Sequence, residues 1–148
     1  MKAIYKTMLA VTTTLFFMAA CSDDDSNPNN NNNNDPQAGF TWSKNGGAEV
    51  MADSAYYDSQ YKTIKVWKGP NMQEFIEINL TADAPATYPI GTGYAVTFVD
   101  GPAMYIASAG DITISEKTAS EMSGTITSTG SGAGITSLNA EFTNIEVR

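Results

Sequence analysis

From Phe40 to Arg148 the apolar residues come in short runs that alternate with polar ones, and turn-forming residues interrupt each run. A period of two puts alternate side chains on opposite faces of a strand, whereas a helix needs an apolar stripe at every third or fourth position. No part of this region carries the helical period. The chain from Phe40 onward is therefore committed to β structure before any other property is considered.

The runs can be read individually. Phe40 and Trp42 alternate with Thr41 and Ser43 up to Asn45-Gly46-Gly47, a hairpin-type turn, with Glu49–Ala52 as the return strand. Tyr61–Lys68 places Ile64 and Val66 on one face and Tyr61, Thr63, Lys65 and Trp67 on the other. Gly69-Pro70-Asn71 breaks the chain, and Glu74–Leu80 keeps Ile76, Ile78 and Leu80 in step. Thr81–Pro89 reads as a turn region. Tyr94, Val96 and Phe98 then share a face, which makes Tyr94 a core residue. After Asp100-Gly101-Pro102 come Met104–Ser108, Asp111–Ser115, Met122–Ser128 and Ile135–Val147, the last two joined by the hairpin loop Gly130–Gly134. In the last run Leu138, Ala140 and Phe142 alternate, but Ile145 and Val147 fall one residue out of phase. That slip predicts a β-bulge at Thr143-Asn144. Eight or nine such strands predict a single antiparallel β-sandwich, with a small flattened β-barrel as the alternative.

The residues before this region follow different rules. Lys2 and Lys6 precede an apolar run, Met8–Phe17, that at about 1.5 Å per residue is short for a ~30 Å hydrocarbon core. Met18-Ala19-Ala20-Cys21 follows and resembles a bacterial lipobox, with Met18 where Leu is usual. This pattern predicts a lipoprotein signal peptide over 1–20, cleaved between Ala20 and Cys21, and a thioether-linked lipid on Cys21. Two or three acyl chains, palmitate-like in length, would make that anchorage stable. Asp23-Asp24-Asp25 resembles the acidic surface-export signal of Bacteroidota-type lipoproteins, which predicts the outer membrane and its cell-surface side, with the periplasmic face as the alternative. Residues 21–39, with the run Asn29–Asn34, read as a disordered tether. As a flexible coil it would hold the domain (40–148) roughly 20–25 Å from the bilayer.

Composition excludes several functions. Removing Lys2 and Lys6 from the eight bases leaves six against sixteen acids, a net charge of −10. Such a surface repels nucleic acid, so no nucleic-acid partner is expected. There is no histidine, and Cys21 is the only cysteine. The domain thus lacks the commonest general base, the commonest transition-metal ligand, any disulfide and any CxxC pair.

The feature order resembles that of small Bacteroidota-type lipoproteins with a C-terminal domain whose activity is not established. The likeness rests on Phe40–Ala52, Ala86-Thr87-Tyr88-Pro89-Ile90-Gly91, Gly110-Asp111-Ile112-Thr113-Ile114-Ser115, Met122-Ser123-Gly124-Thr125-Ile126 and Ile135–Phe142. Asn139-Ala140 stands where that ending usually has a glycine. The resemblance implies an all-β surface lipoprotein and transfers no catalytic residue.

Site residues must come from the chain itself. A carboxylate pair for glycoside hydrolysis needs two acids across one cleft. Glu74 and Glu77 have opposite strand parity, and nothing visibly buries Glu49, Asp53 or Asp58. Turn acids Asp53, Asp58, Asp83, Asp100 and Asp111 form no calcium loop. No cofactor, metal or catalytic residue is expected. Among the aromatics Trp42, Tyr56, Tyr57, Tyr61, Trp67, Tyr88, Tyr94 and Tyr105, the pair Tyr61 and Trp67 lies opposite Ile64 and Val66 and is expected to face outward as a ligand-binding pair. Asp53-Ser54-Ala55 resembles an O-glycosylation acceptor, which makes Ser54 a possible modification site. The expected function is non-enzymatic binding of a glycan or an envelope protein. The alternatives are a structural or assembly component with no small ligand and a carboxylate-dependent glycosidase.

Overall fold

The structure is a computed structural model that describes Gly39–Arg148; the signal segment, Cys21 and the tether up to Ala38 lie outside the described residues. Ten strands follow one another: β1 (Gly39–Lys44), β2 (Val50–Met51), β3 (Ser54–Asp58), β4 (Thr63–Lys68), β5 (Glu74–Asn79), β6 (Ala86–Pro89), β7 (Ala95–Asp100), β8 (Ala103–Lys117), β9 (Glu121–Ser131) and β10 (Ser137–Val147). Among the described residues there is no helix, and hence none long and apolar enough to cross a membrane.

The pairings close on themselves. β3, β4, β5, β7, β8 and β9 join in sequence, β9 pairs with β10, and β10 returns to β3. This seven-stranded barrel replaces the expected sandwich and is the alternative topology in a closed form. Nor is it wholly antiparallel, because Glu146 and Val147 pair in parallel with Tyr56 and Tyr57. Arg148 extends that seam: its N–H donates to the Tyr57 carbonyl and its carbonyl accepts from Ser59 N–H. The remaining strands lie alongside. β1 adds to β10, β2 to β1, and β6 to the second half of β8.

Closure depends on three long strands, β8, β9 and β10, of which β8 and β10 change partners along their length. β8 unites the two predicted runs Met104–Ser108 and Asp111–Ser115. It pairs with β7 through Ala103–Ile106 and with β6 through Asp111–Ile114, with a bulge between Ala107 and Ala109. β10 carries the bulge expected at Thr143-Asn144. Its register shifts between Phe142 and Ile145, Asn144 has φ 48°, and its N–H donates to Ser123 Oγ. Gly124 is equally specific: a Cβ there would run into the Thr113 carbonyl and the Phe142 ring. Bulges and glycines of this kind bend strands enough to close a sheet.

The alternation places Phe40, Trp42, Ile64, Val66, Ile76, Ile78, Val96, Phe98, Tyr105, Ile112, Ile126, Leu138 and Phe142 inside. Phe40 stacks on Phe142 at 6.0 Å, and Trp42 lies 6.4 Å from Phe98. Tyr105 keeps its hydroxyl satisfied by Ser128 Oγ, 3.1 Å away. Trp42 Nε1 is the one buried side-chain polar atom without a partner among the described residues. Tyr94, expected in the core, is half-buried at its margin and stacks on Tyr88 at 4.8 Å. It precedes β7, so only its inner side meets the core.

Charged clusters close both ends. At one, Lys44 Nζ donates to Glu74 Oε1 (2.8 Å), lies 4.0 Å from Asp100 and sits over the Phe98 ring. At the other, the Tyr57 hydroxyl donates to Asp83 Oδ2 (2.8 Å), and Lys117 Nζ is 3.3 Å from the same oxygen. Burial, and after it the hydrogen bond to Asp83, pushes the Tyr57 phenol up. Burial works against the Asp83 charge, but the Tyr57 and Lys117 hydrogen bonds outweigh it and hold the carboxyl below its usual range.

Candidate functional site

With the interior filled, function falls to the outer surface, and the register divides that surface into two walls. On β3, β4, β5, β7 and the start of β8, one outward row reads Ser54, Trp67, Phe75, Val99, Met104. The next row reads Tyr56, Lys65, Glu77, Thr97, Ile106. This is the aromatic wall.

Tyr61 and Trp67 both belong to its neighbourhood, but not as expected. Tyr61 is 67% exposed and sits in the turn before β4 rather than in the strand. Its backbone N–H is held by Asp58 Oδ1. Trp67 is in β4 and faces outward, yet it is half-buried because Tyr56 packs edge-on against it at 5.7 Å and 81°. Tyr56 is the residue that connects the expected pair. Lys65 Nζ lies 5.6 Å from the Tyr61 ring and 5.9 Å from the Tyr56 ring, and the Arg148 guanidinium sits 4.2 Å over Tyr56. The sequence signal for Tyr56 was the alternation Ala55-Tyr56-Tyr57, hidden because β3 lies outside the predicted strands.

The wall continues as exposed aliphatic surface. Met104 is 50% and Ile106 52% exposed, and Met72, in the β4–β5 turn, is also exposed. Ser54 opens β3 opposite Trp67 and is half-buried.

The opposite wall is built from β1, β10, β9, the second half of β8, and β6. Its rows read Thr41, Glu141, Thr125, Thr113, Thr87 and Ser43, Asn139, Thr127, Asp111, Pro89. Thr87 and Thr113 share a hydrogen bond of 3.0 Å. Where Glu49, just before β2, overhangs β1 and β10, this hydroxyl wall forms an open groove of about 360 Å³. No single residue in the groove distinguishes it in sequence.

Glu74 turns toward Lys44 at the barrel end and Glu77 lies on the aromatic wall accepting from Asn79, so the two do face apart. Asp53 lies 3.6 Å from Lys68, and Asp58 3.6 Å from Lys65. Among the described residues no group of three or more His, Cys, Asp or Glu gathers to hold a metal. Glu49 and Glu141 do line one groove, a juxtaposition not foreseen from sequence, but both are exposed.

Comparison of the chain with family models, curated proteins and solved structures returns no match.

Proposed function

We propose that the chain is a lipid-anchored, non-enzymatic binding module of the outer membrane, displayed on the cell surface, which holds a protein partner on its aromatic wall. The observation that carries this reading is the outward row Trp67, Phe75, Val99, Met104, flanked by exposed Tyr61 and Ile106. The core is complete without these side chains, so their outward position has no role in closing the barrel. Contiguous exposed apolar surface marks interaction sites, and Trp, Tyr, Phe, Met and Arg are the residues interfaces favour. The wall also argues for protein over glycan. Sugar stacking needs an open ring face, whereas Tyr56 meets Trp67 edge-on and is capped by Arg148.

A purely structural role with every aromatic in the core fits less well, because Tyr56, Tyr61 and Trp67 all lie outside it. The glycosidase alternative requires two carboxyl groups facing one cleft, one of them in a buried setting, and Glu49 and Glu141 are both exposed. Anchorage rests on Met18-Ala19-Ala20-Cys21, and the side of the membrane on Asp23-Asp24-Asp25.

The test is site-specific photo-crosslinking in intact cells. A crosslinker at Met104 should capture one discrete protein, and Trp67→Ala should abolish the product. Equal capture from a crosslinker at Thr87, on the other wall, would refute the assignment. For the anchor, Cys21→Ser should move the protein to the soluble fraction; retention in the membrane would sink that part.

A further inference from the structure

The polar side chains that line the groove on the second wall make no bond to one another. Most buried or half-buried polar side chains are tied within the protein: Thr63 to Asn79, Asn79 to Glu77, Ser123 to Asn144, Lys44 to Glu74. In the groove under Glu49 the side chains of Thr41, Ser43, Thr125, Thr127, Asn139 and Glu141 point outward from three adjacent strands. Among the described residues none of them, nor Glu49, has a side-chain hydrogen bond or an ion pair. Seven polar side chains thus line one concavity, Thr41 and Ser43 half-buried and the other five exposed.

The dimensions suit an extended ligand. The groove of about 360 Å³ falls within the roughly 300–1,000 Å³ of small-molecule sites. It continues into a section of about 240 Å³ that shares Thr41, Glu49 and Glu141 and reaches Met51 and Thr143. Both sections lie on the outer face of β1 and β10, and the first extends onto β9.

The chemistry selects the ligand. Hydroxyls of Thr and Ser donate and accept, Asn139 does both through its amide, and the two carboxylates accept only. Two unpaired carboxylates with no cation beside them reject a polyanion. Five hydroxyl and amide groups exceed anything an ammonium group requires, since an ammonium only donates. A ligand that both donates and accepts along its length, without charge, matches all seven. We propose that this groove binds a neutral oligosaccharide, with Glu141 and Asn139 as its principal hydrogen-bonding residues. The site lies on the opposite wall from Trp67 and is independent of partner binding there.

The experiment is titration calorimetry on the purified protein with maltohexaose, cellohexaose, mannohexaose and xylohexaose, and with hexagalacturonate and spermine as charged probes. At least one neutral hexasaccharide should bind. Glu141→Ala and Asn139→Ala should each weaken it about tenfold, the scale of one lost hydrogen bond to a charged or strongly polar group. Thr127→Val should weaken it less, all three should melt like the wild type, and Trp67→Ala should bind normally. Absence of binding to every neutral probe overturns the proposal. So does preference for spermine or hexagalacturonate, or binding that survives the groove variants but is lost in Trp67→Ala.

Discussion

The two walls of the barrel are built over the same core yet spend their outward positions differently. Over β3 and β4, outward residues are large and contact one another: Trp67 against Tyr56, Lys65 between Tyr56 and Tyr61, Arg148 over Tyr56. In the groove over β1, β10 and β9 they are polar and make no side-chain bonds to one another. Inward positions are predominantly apolar beneath both: Ile64, Val66, Ile76 and Phe98 under the first, Phe40, Trp42, Ile126 and Leu138 under the second. A closed sheet of this size must fill its inner face with packed side chains and constrains its outer face far less, so differences outside reflect demands other than folding. Substitutions should therefore act on both walls together when inward, and on one wall alone when outward.

The largest effect tests that shared interior. Phe98 lies beneath the aromatic wall but touches Trp42, which belongs to β1 on the other side. Phe98→Ala should cost about 3–5 kcal/mol. Chemical denaturation followed by Trp fluorescence and by far-UV circular dichroism should show one coincident transition. Separate transitions would mean that the walls are separate folding units and would break the comparison.

A smaller effect is local to the hydroxyl wall. Gly124 is the inward position where β9 passes over Phe142. Gly124→Ala forces a Cβ into the Phe142 ring and the Thr113 carbonyl, and overpacking of this kind costs about 1–3 kcal/mol. A melting temperature unchanged from wild type would show that β8 and β9 have slack that the register does not suggest.

These expectations differ in how far they could be read from sequence. The bulge at Thr143-Asn144 was legible because a one-residue slip in alternation has no other meaning in a strand. The outward position of Trp67 followed from the parity of Ile64 and Val66. β3 was not legible: Ser54–Asp58 has only Ala55 and Tyr57 facing inward, and its parallel partner is Glu146-Val147, about ninety residues away. β6 escaped for a related reason, since Ala86–Pro89 is an edge strand ending in proline, with no apolar alternation to mark it. Barrel and sandwich differ only in which edges meet, and alternation reports faces rather than neighbours. The groove was invisible for the same reason. Thr41, Thr125 and Glu141 are ordinary outward strand residues until register sets them side by side.

The next effect depends on pH and belongs to the closed end between the walls. Asp83 is held below the ordinary carboxyl range, about 3.9 for a free Asp, by Tyr57 and Lys117 acting against burial. A carboxyl lowered on folding contributes stability that is fully present above its unfolded value and is lost as pH falls through its folded value. Asp83→Asn should thus lower stability by about 1.5 kcal/mol near pH 7, the low end for a bond to a partly exposed charged group. The gap between the two proteins should narrow below about pH 4. A gap that stays constant down to acid unfolding would show that the Asp83 charge contributes nothing.

The smallest effects separate two asparagines close to the same wall. Asn45, at φ 54°, accepts through Oδ1 from the backbone N–H groups of Thr136 (2.8 Å) and Ser137 (3.2 Å) and donates through Nδ2 to Gly134 O. It ties the β1–β2 turn to the start of β10, and Asn45→Ala removes bonds while leaving a positive φ for alanine to adopt. The cost should be about 1 kcal/mol. Asn139 has no such partner among the described residues, so Asn139→Ala should change stability by no more than about 0.5 kcal/mol. Thermal melts of the two variants side by side decide the point. If Asn139→Ala destabilises as much as Asn45→Ala, the groove side chains hold the barrel together, and the hydroxyl wall loses its claim to a function of its own. If it is silent in the melt, the side chain is free to be spent on a ligand.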